Sequence, residues 1–265
     1  MIRIVRSELI RIWRPSFRYG GIGLMAGFGV LISIFIFTSA DDSTEAVQGG
    51  PGRGFASAAE ISTPGGFLTA LGTTSQIAGL VLLSLWAIAA ASDYDSGLIR
   101  VLVQASPNRV KLLAGKIIAL VGFTILATAA TTLTIVLAAR PLARLEGIDT
   151  EPWKADFLTE LLGGYFNFMI PALVWGVIGL LIAVWTRSSG IAIAAGIGYL
   201  LVVENLIAIV ADDITDFLPG GTLAAVADGG TPDLAWGAAL ALSLLYGAAA
   251  AMAALLIFRN RDITS

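Results

Sequence analysis

The chain has 265 residues, 57% of them hydrophobic and only 13% charged, and its mean hydropathy is +0.85. A soluble domain of this size carries about a quarter charged residues, so the surplus apolar surface has to face lipid. The net charge of −3 argues against nucleic acid as a partner, and the lack of Cys and His removes disulfides, thiolate and imidazole metal ligands, and the commonest general base.

The first segment, residues 1–18, reads as an amphipathic helix. Ile2, Val5, Leu9, Ile12 and Trp13 share one face at helical spacing, and Arg3, Arg11, Arg14 and Arg18 cluster opposite. Such a helix lies in the headgroup layer with its arginines drawn to anionic lipid, and Pro15 ends it. The apolar run that follows is long for a signal peptide, so it is expected to be a retained span.

A membrane helix needs about 20 mostly apolar residues. Six stretches qualify, near Tyr19–Thr38, Phe67–Ala91, Ile117–Ala139, Leu161–Trp185, Gly190–Ala211 and Leu234–Phe258. The expected architecture is therefore an all-α polytopic membrane domain over residues 19–258, with a tail at 259–265. With a cytoplasmic N-terminus, twelve of the 16 Lys and Arg residues fall inside and four (Arg53, Arg140, Arg144, Lys154) fall outside. That asymmetry puts both termini in the cytoplasm of a plasma-membrane protein. Fourteen of the 19 acidic residues lie in the outer loops, so the outer face is expected to be negative.

The first outer loop carries Gln48-Gly49-Gly50-Pro51-Gly52-Arg53-Gly54 and is expected to be irregular. In the second, Glu151–Glu160 with Trp153 and Phe157 reads as an interfacial helix. The third, Asp212–Asp233, alternates apolar islands with acidic residues.

The inner segment Ser92–Lys116 is unlike the other breaks. Gly97 ends the preceding span or starts a new turn. Leu98, Val101, Leu102 and Ala105 then form a helical stripe, which gives a short surface helix at about 97–106, stopped by Ser106-Pro107-Asn108. Arg109, Lys111 and Lys116 lead into the third span at headgroup depth.

The pattern of Asp93-Tyr94, two residues, Gly97, Arg100, then Arg109 and Lys116 resembles the type-2 ABC exporter permease family. The common form there is Glu-Tyr-x-x-Gly-Thr-x-Arg followed by Arg and Lys. Here Asp93 replaces the Glu and Leu98 replaces the Thr. The six-span layout with an N-terminal amphipathic helix is similar too. The resemblance implies that this loop is a coupling helix seated on an ATPase subunit, with Asp93, Tyr94, Gly97, Leu98, Arg100, Val101, Gln104, Arg109 and Lys116 as the coupling residues. It also implies a dimer of permease subunits and outer helices in the third outer loop that cap the exit. ATP and Mg would belong to the partner ATPase: around Gly115-Lys116, Val110 and Ile117 stand where a phosphate loop needs Gly and Ser or Thr.

Glu204, beside Asn205, is the one carboxylate within a span, roughly 21 Å along its helix from Gly190. It either bonds a neighbouring helix or marks a polar spot on a substrate path. Thr124, Thr128 and Thr131 lie along one side of the third span and are either packing hydroxyls or cavity lining. Small-residue patterns at Gly23/Gly27, Gly190/Ala194/Gly198 and Ser243/Gly247/Ala251 permit close helix contact within or between subunits. The expected function is the permease subunit of an ATP-driven exporter of apolar or amphiphilic cargo. The alternative is a six-span, ATP-independent channel or carrier that uses Glu204. An intramembrane hydrolase is disfavoured, because no span carries an aspartate pair or a Ser-Lys arrangement.

Overall fold

The computed structural model describes residues 2–40, 56–105 and 108–260. The side chains of Ile2, Arg3, Ser16, Arg100, Val103, Ala105, Asp212 and Asp213 lie outside that description, as do the glycine-rich loop around Gln48–Gly54, the Ser106-Pro107 stop and the tail beyond Asn260. Among the described residues there is no strand, only one isolated bridge between Gly230 and Ala235.

Eleven α-helices are described: α1 Ile2–Ile12, α2 Pro15–Thr38, α3 Ala58–Ile61, α4 Thr69–Asp95, α5 Leu98–Ala105, α6 Arg109–Leu145, α7 Phe157–Thr186, α8 Ser189–Gly198, α9 Glu204–Val210, α10 Pro219–Asp228 and α11 Trp236–Asn260. A π-helical stretch, Tyr199–Val203, joins α8 and α9 into one span. Among the described residues, six helical segments are long and apolar enough to cross a membrane, and they coincide with the six stretches read from hydropathy. They run further than the apolar runs alone. α4 continues through Asp93-Tyr94-Asp95, and α6 begins at Arg109, capped by the Asn108 side chain on the Lys111 N–H at 3.0 Å.

α4 is the centre of the bundle. Of its most apolar window 61% is buried, against 11% for α8–α9, whose outer face carries Ile209 and Val210 almost bare. The α4–α7 contact rests on reciprocal tryptophan-on-glycine packing. Trp86 of α4 covers Gly176 of α7, and Trp175 of α7 covers Gly79 of α4. At Gly179 the α7 backbone lies against the Leu83 carbonyl, so a Cβ would overlap main chain rather than a side chain that could turn away. α2 packs beside α6, α1 lies across the start of α6, and α11 packs on α7.

Two sequence expectations about faces are corrected. In α1 the inward face is Ile4, Glu8 and Ile12, while Leu9 and Trp13 are exposed, because an acidic side chain takes the inward register. In the α6–α7 connection Trp153 is buried rather than interfacial. It sits in a 3-10 turn, Glu151–Lys154, and its Nε1–H donates to the Ile61 carbonyl at 2.8 Å with Phe37 and Phe67 against its ring. The α9–α11 connection is folded: α10 buries Leu223, Ala225 and Val226 against α7 and α11.

The small-residue patterns divide. Gly247 meets Val174 of α7, whereas Gly23, Gly27 and Gly198 have no neighbour within 4 Å where a Cβ would stand. Gly179→Ala is therefore expected to cost about 1–3 kcal/mol of stability by overpacking. Gly23→Ala should be neutral or slightly stabilising through helix propensity. Thermal unfolding of the two variants in detergent checks this contrast.

Candidate functional site

At the α5 end of the bundle, four charged side chains close a ring. Glu8 and Arg11 come from α1, Asp93 from the last turn of α4, and Lys116 from the second turn of α6. Lys116 Nζ lies 2.7 Å from Asp93 Oδ2 and 3.2 Å from Glu8 Oε2. Arg11 pairs with Glu8 Oε1 at 2.8 Å through one terminal nitrogen and with Asp93 through the other. Each acid thus touches both bases and each base both acids, and the ring sums to zero charge. Lys116 Nζ also donates to the Ala89 carbonyl of α4 at 2.9 Å. Three members are buried, and only Arg11 is partly open to solvent.

The local sequence makes this possible. Glu8 and Arg11 are one helical turn apart, so both project from the same side of α1. Gly115, next to Lys116, leaves room for Ile4 of α1 to come against α6. Burial of the Arg11 guanidinium pulls its pKa down, but the hydrogen bond and charge of Asp93, with those of Glu8, outweigh burial and leave it above its ordinary value. A raised basic pKa contributes stability that is complete below the unfolded value and lost only as pH climbs through the folded one, so Arg11 stays charged across the neutral range.

The sequence placed Asp93 and Lys116 on the inner surface; both are inside the protein. The remaining motif residues stay nearer the surface. Gly97 has φ of +68°, a left-handed conformation that ends α4 and turns the chain into α5. Tyr94, Leu98 and Arg109 are half-buried, while Val101 and Gln104 are exposed. The seating face of α5 is Ile99 with Leu102 rather than the stripe through Val101: Val101 is 58% exposed and Ile99 6%. A cleft of about 440 Å³ lies between α1, α4 and α5, bordered by Glu8, Arg11, Arg14, Phe17, Leu98 and Lys116.

The second group of expected site residues does not come together. Glu204 is buried, and its carboxylate caps α10: the Gly220 N–H donates to Oε1 at 2.7 Å, and the Gly221 N–H and the Tyr199 hydroxyl add to it. A Cβ at residue 220 would overlap that carboxylate. The N-terminal N–H groups of α10 suit a negative charge, so Glu204 fastens one element to another. Asn205 points elsewhere. It is exposed and donates to the Leu201 and Leu200 carbonyls, at 3.0 and 3.3 Å, within the π-helical stretch. Thr124, Thr128 and Thr131 are fully buried. Thr124 accepts from Trp86 Nε1 at 3.0 Å, and Thr128 and Thr131 bond back to the Thr124 and Ala127 carbonyls. All three are packing groups.

The sequence reading missed Glu8 and gave Arg11 to the lipid. A signal was present: Glu8 is the only acid among five arginines in the first 18 residues, one turn from Arg11.

Fold and site together define a polytopic all-α membrane protein whose N-terminal helix is tied by charge to two of its spans. Residues 27–264 match the family model described as "Protein of unknown function (DUF2705)", and the chain belongs to that family. No curated protein matches it. The match includes Asp93 and Lys116, while Glu8 and Arg11 lie N-terminal to it.

Removing one member of a buried ion pair costs about 3–5 kcal/mol, because the partner is left charged and dry. Lys116→Met is expected to lose stability on that scale. Glu8→Gln combined with Lys116→Met should cost less than the two single changes added together, by about 0.5–3 kcal/mol. Unfolding of the three variants in detergent gives the coupling, and strict additivity would remove the ring as a unit.

Proposed function

We propose that this chain is the permease subunit of an ATP-driven exporter, coupling ATP hydrolysis by a partner ATPase to movement of a substrate across the cell membrane. The observation that carries the reading is the build of the α5 end. A short amphipathic helix hangs between two spans, seated by Ile99 and Leu102 and presenting Val101 and Gln104 outward. Its flanks hold the Asp93-Tyr94-x-x-Gly97-x-x-Arg100 pattern with Arg109 and Lys116.

In this reading the exposed face of α5 seats in the ATPase, which binds ATP and Mg. Two permease subunits form the pathway above two ATPases, both termini are cytoplasmic, and the α10 end faces outward. Closure of the ATPases on ATP pushes α5. Asp93 and Lys116 at the roots of α4 and α6 are held to α1 by the charged ring, so the push moves the three helices together. The free energy of the switch comes from the tighter binding of ATP to one of the two states. α1 carries Leu9 and Ile10 on its exposed side, with Trp13 just beyond its end, which suits an element sliding in the headgroup layer. An ATP-independent carrier built on Glu204 is less well supported, since that carboxylate is already occupied in capping α10.

The coupled reading expects the untagged chain to copurify with a Walker-motif ATPase. Val101→Asp, and the charge reversals Arg100→Glu and Arg109→Glu, should release that ATPase and abolish ATP-dependent transport in vesicles, with the permease still folded. An intact complex with unchanged hydrolysis and transport would make the α5 assignment wrong. Transport by the chain alone in ATPase-free liposomes would favour the carrier.

Sidedness has its own check. The chain has no Cys, so single cysteines label without background. Lys111→Cys should react with an impermeant maleimide only after cells are opened, and Glu146→Cys in intact cells.

A further inference from the structure

A second cleft, of about 470 Å³, lies toward the other end of α6, far from the charged ring. Lys116 and Arg140 are 24 residues apart on one helix, roughly 36 Å at 1.5 Å per residue. With Lys116 near one edge of a hydrocarbon layer about 30 Å thick, Arg140 reaches the headgroup level at the other edge.

The walls are apolar and aromatic: Val136 and Leu137 from α6, Phe67 from the turn before α4, Trp153 from the α6–α7 connection, and Phe157 from the start of α7. Phe67 and Phe157 stack at 4.9 Å, and Trp153 is fixed by its bond to the Ile61 carbonyl and by the edge of Phe37. These walls are held by groups other than a ligand, so the cleft is preformed. Leu137 is 65% exposed, which opens the cleft sideways from the bundle toward lipid.

Two cations, Arg140 and Lys154, border this apolar space. Lys154 is already neutralised by both Glu151 oxygens, at 2.7 and 2.8 Å. Arg140 is exposed and makes no ion pair or hydrogen bond with any described residue. It is thus an unpaired positive charge at the rim of an apolar cleft, at the end of the protein where most of the carboxylates gather.

We propose that this cleft binds an anionic phospholipid, its acyl chain along Val136, Leu137 and Phe157 and its phosphate on the Arg140 guanidinium. A guanidinium holds a phosphate through paired hydrogen bonds, and the apolar walls favour a ligand that also carries a hydrocarbon portion. This site is independent of the α5 reading and stands whichever motor, if any, drives the chain.

The test uses the full-length chain in detergent, titrated with dioleoylphosphatidylglycerol or dioleoylphosphatidylcholine, with bound lipid counted by native mass spectrometry. The expected result is one phosphatidylglycerol retained about tenfold more tightly than phosphatidylcholine, the size of one charge-assisted contact. Arg140→Gln should bring the two lipids level. Arg144→Gln, one turn further along α6, should leave the preference intact. Inorganic phosphate in large excess should not displace the lipid. Equal retention of the two lipids in the unaltered chain would overturn the proposal, as would equal losses in the Arg140 and Arg144 variants, which mean only diffuse surface attraction. Displacement by inorganic phosphate would reduce the site to a bare anion contact and overturn it as well.

Discussion

The ring of Glu8, Arg11, Asp93 and Lys116 is the interaction on which the α5 end of the molecule depends. Taking four charges out of water is costly, and a single buried pair often does no better than break even against an apolar contact. Here the cost is offset by closure: each charge has two opposite partners, and Lys116 has a backbone carbonyl in addition. Since the ring joins three helices that are far apart in sequence, it also fixes a geometry that apolar packing alone would leave free to slide. α1 is short and exposes large apolar side chains outward. Without the ring, little beyond Ile4 and Ile12 would choose its register on α6.

A rigid centre stands next to that junction. The α4–α7 contact is tight because each helix places a tryptophan over a glycine of the other, and Gly179 brings backbone against backbone. Such an interface has few intermediate arrangements, so α4 and α7 are held as one rigid pair rather than left free to slide on each other. The other end is fixed differently. Glu204 caps α10, and Trp153 gathers the α2–α4 and α6–α7 connections around one indole. Charge holds the α5 end, aromatic packing and one carboxylate hold the other, and α4 connects the two.

Several of these features could be read in the chain and several could not. The six spans follow from hydropathy, since burying twenty apolar residues in lipid dominates any local preference. The short helix after Gly97 follows from punctuation and periodicity, although its inward face is one step from the stripe expected. Burial of Asp93 and Lys116 was not legible, because charged residues at the end of an apolar run normally reach for headgroups, and only a partner brought in by α1 makes the interior affordable. The same holds for Glu204. Its depth was visible, but its partner is a backbone N–H sixteen residues away, and backbone donors leave no mark in a sequence.

The sequence by itself determined that this is an all-helical membrane chain of six spans with a charged, helix-bearing break between the second and third. Its hydrophobic run lengths and its glycine and proline punctuation are local properties, and lipid enforces them directly. Only the tertiary structure decided which charges meet, which tryptophan covers which glycine, and that the hydroxyls of Thr124, Thr128 and Thr131 are consumed by packing. Those outcomes depend on which helix faces lie against each other. Helix faces in a bilayer are selected by shape and by pairing of polar groups between segments, and neither is a property of any one segment.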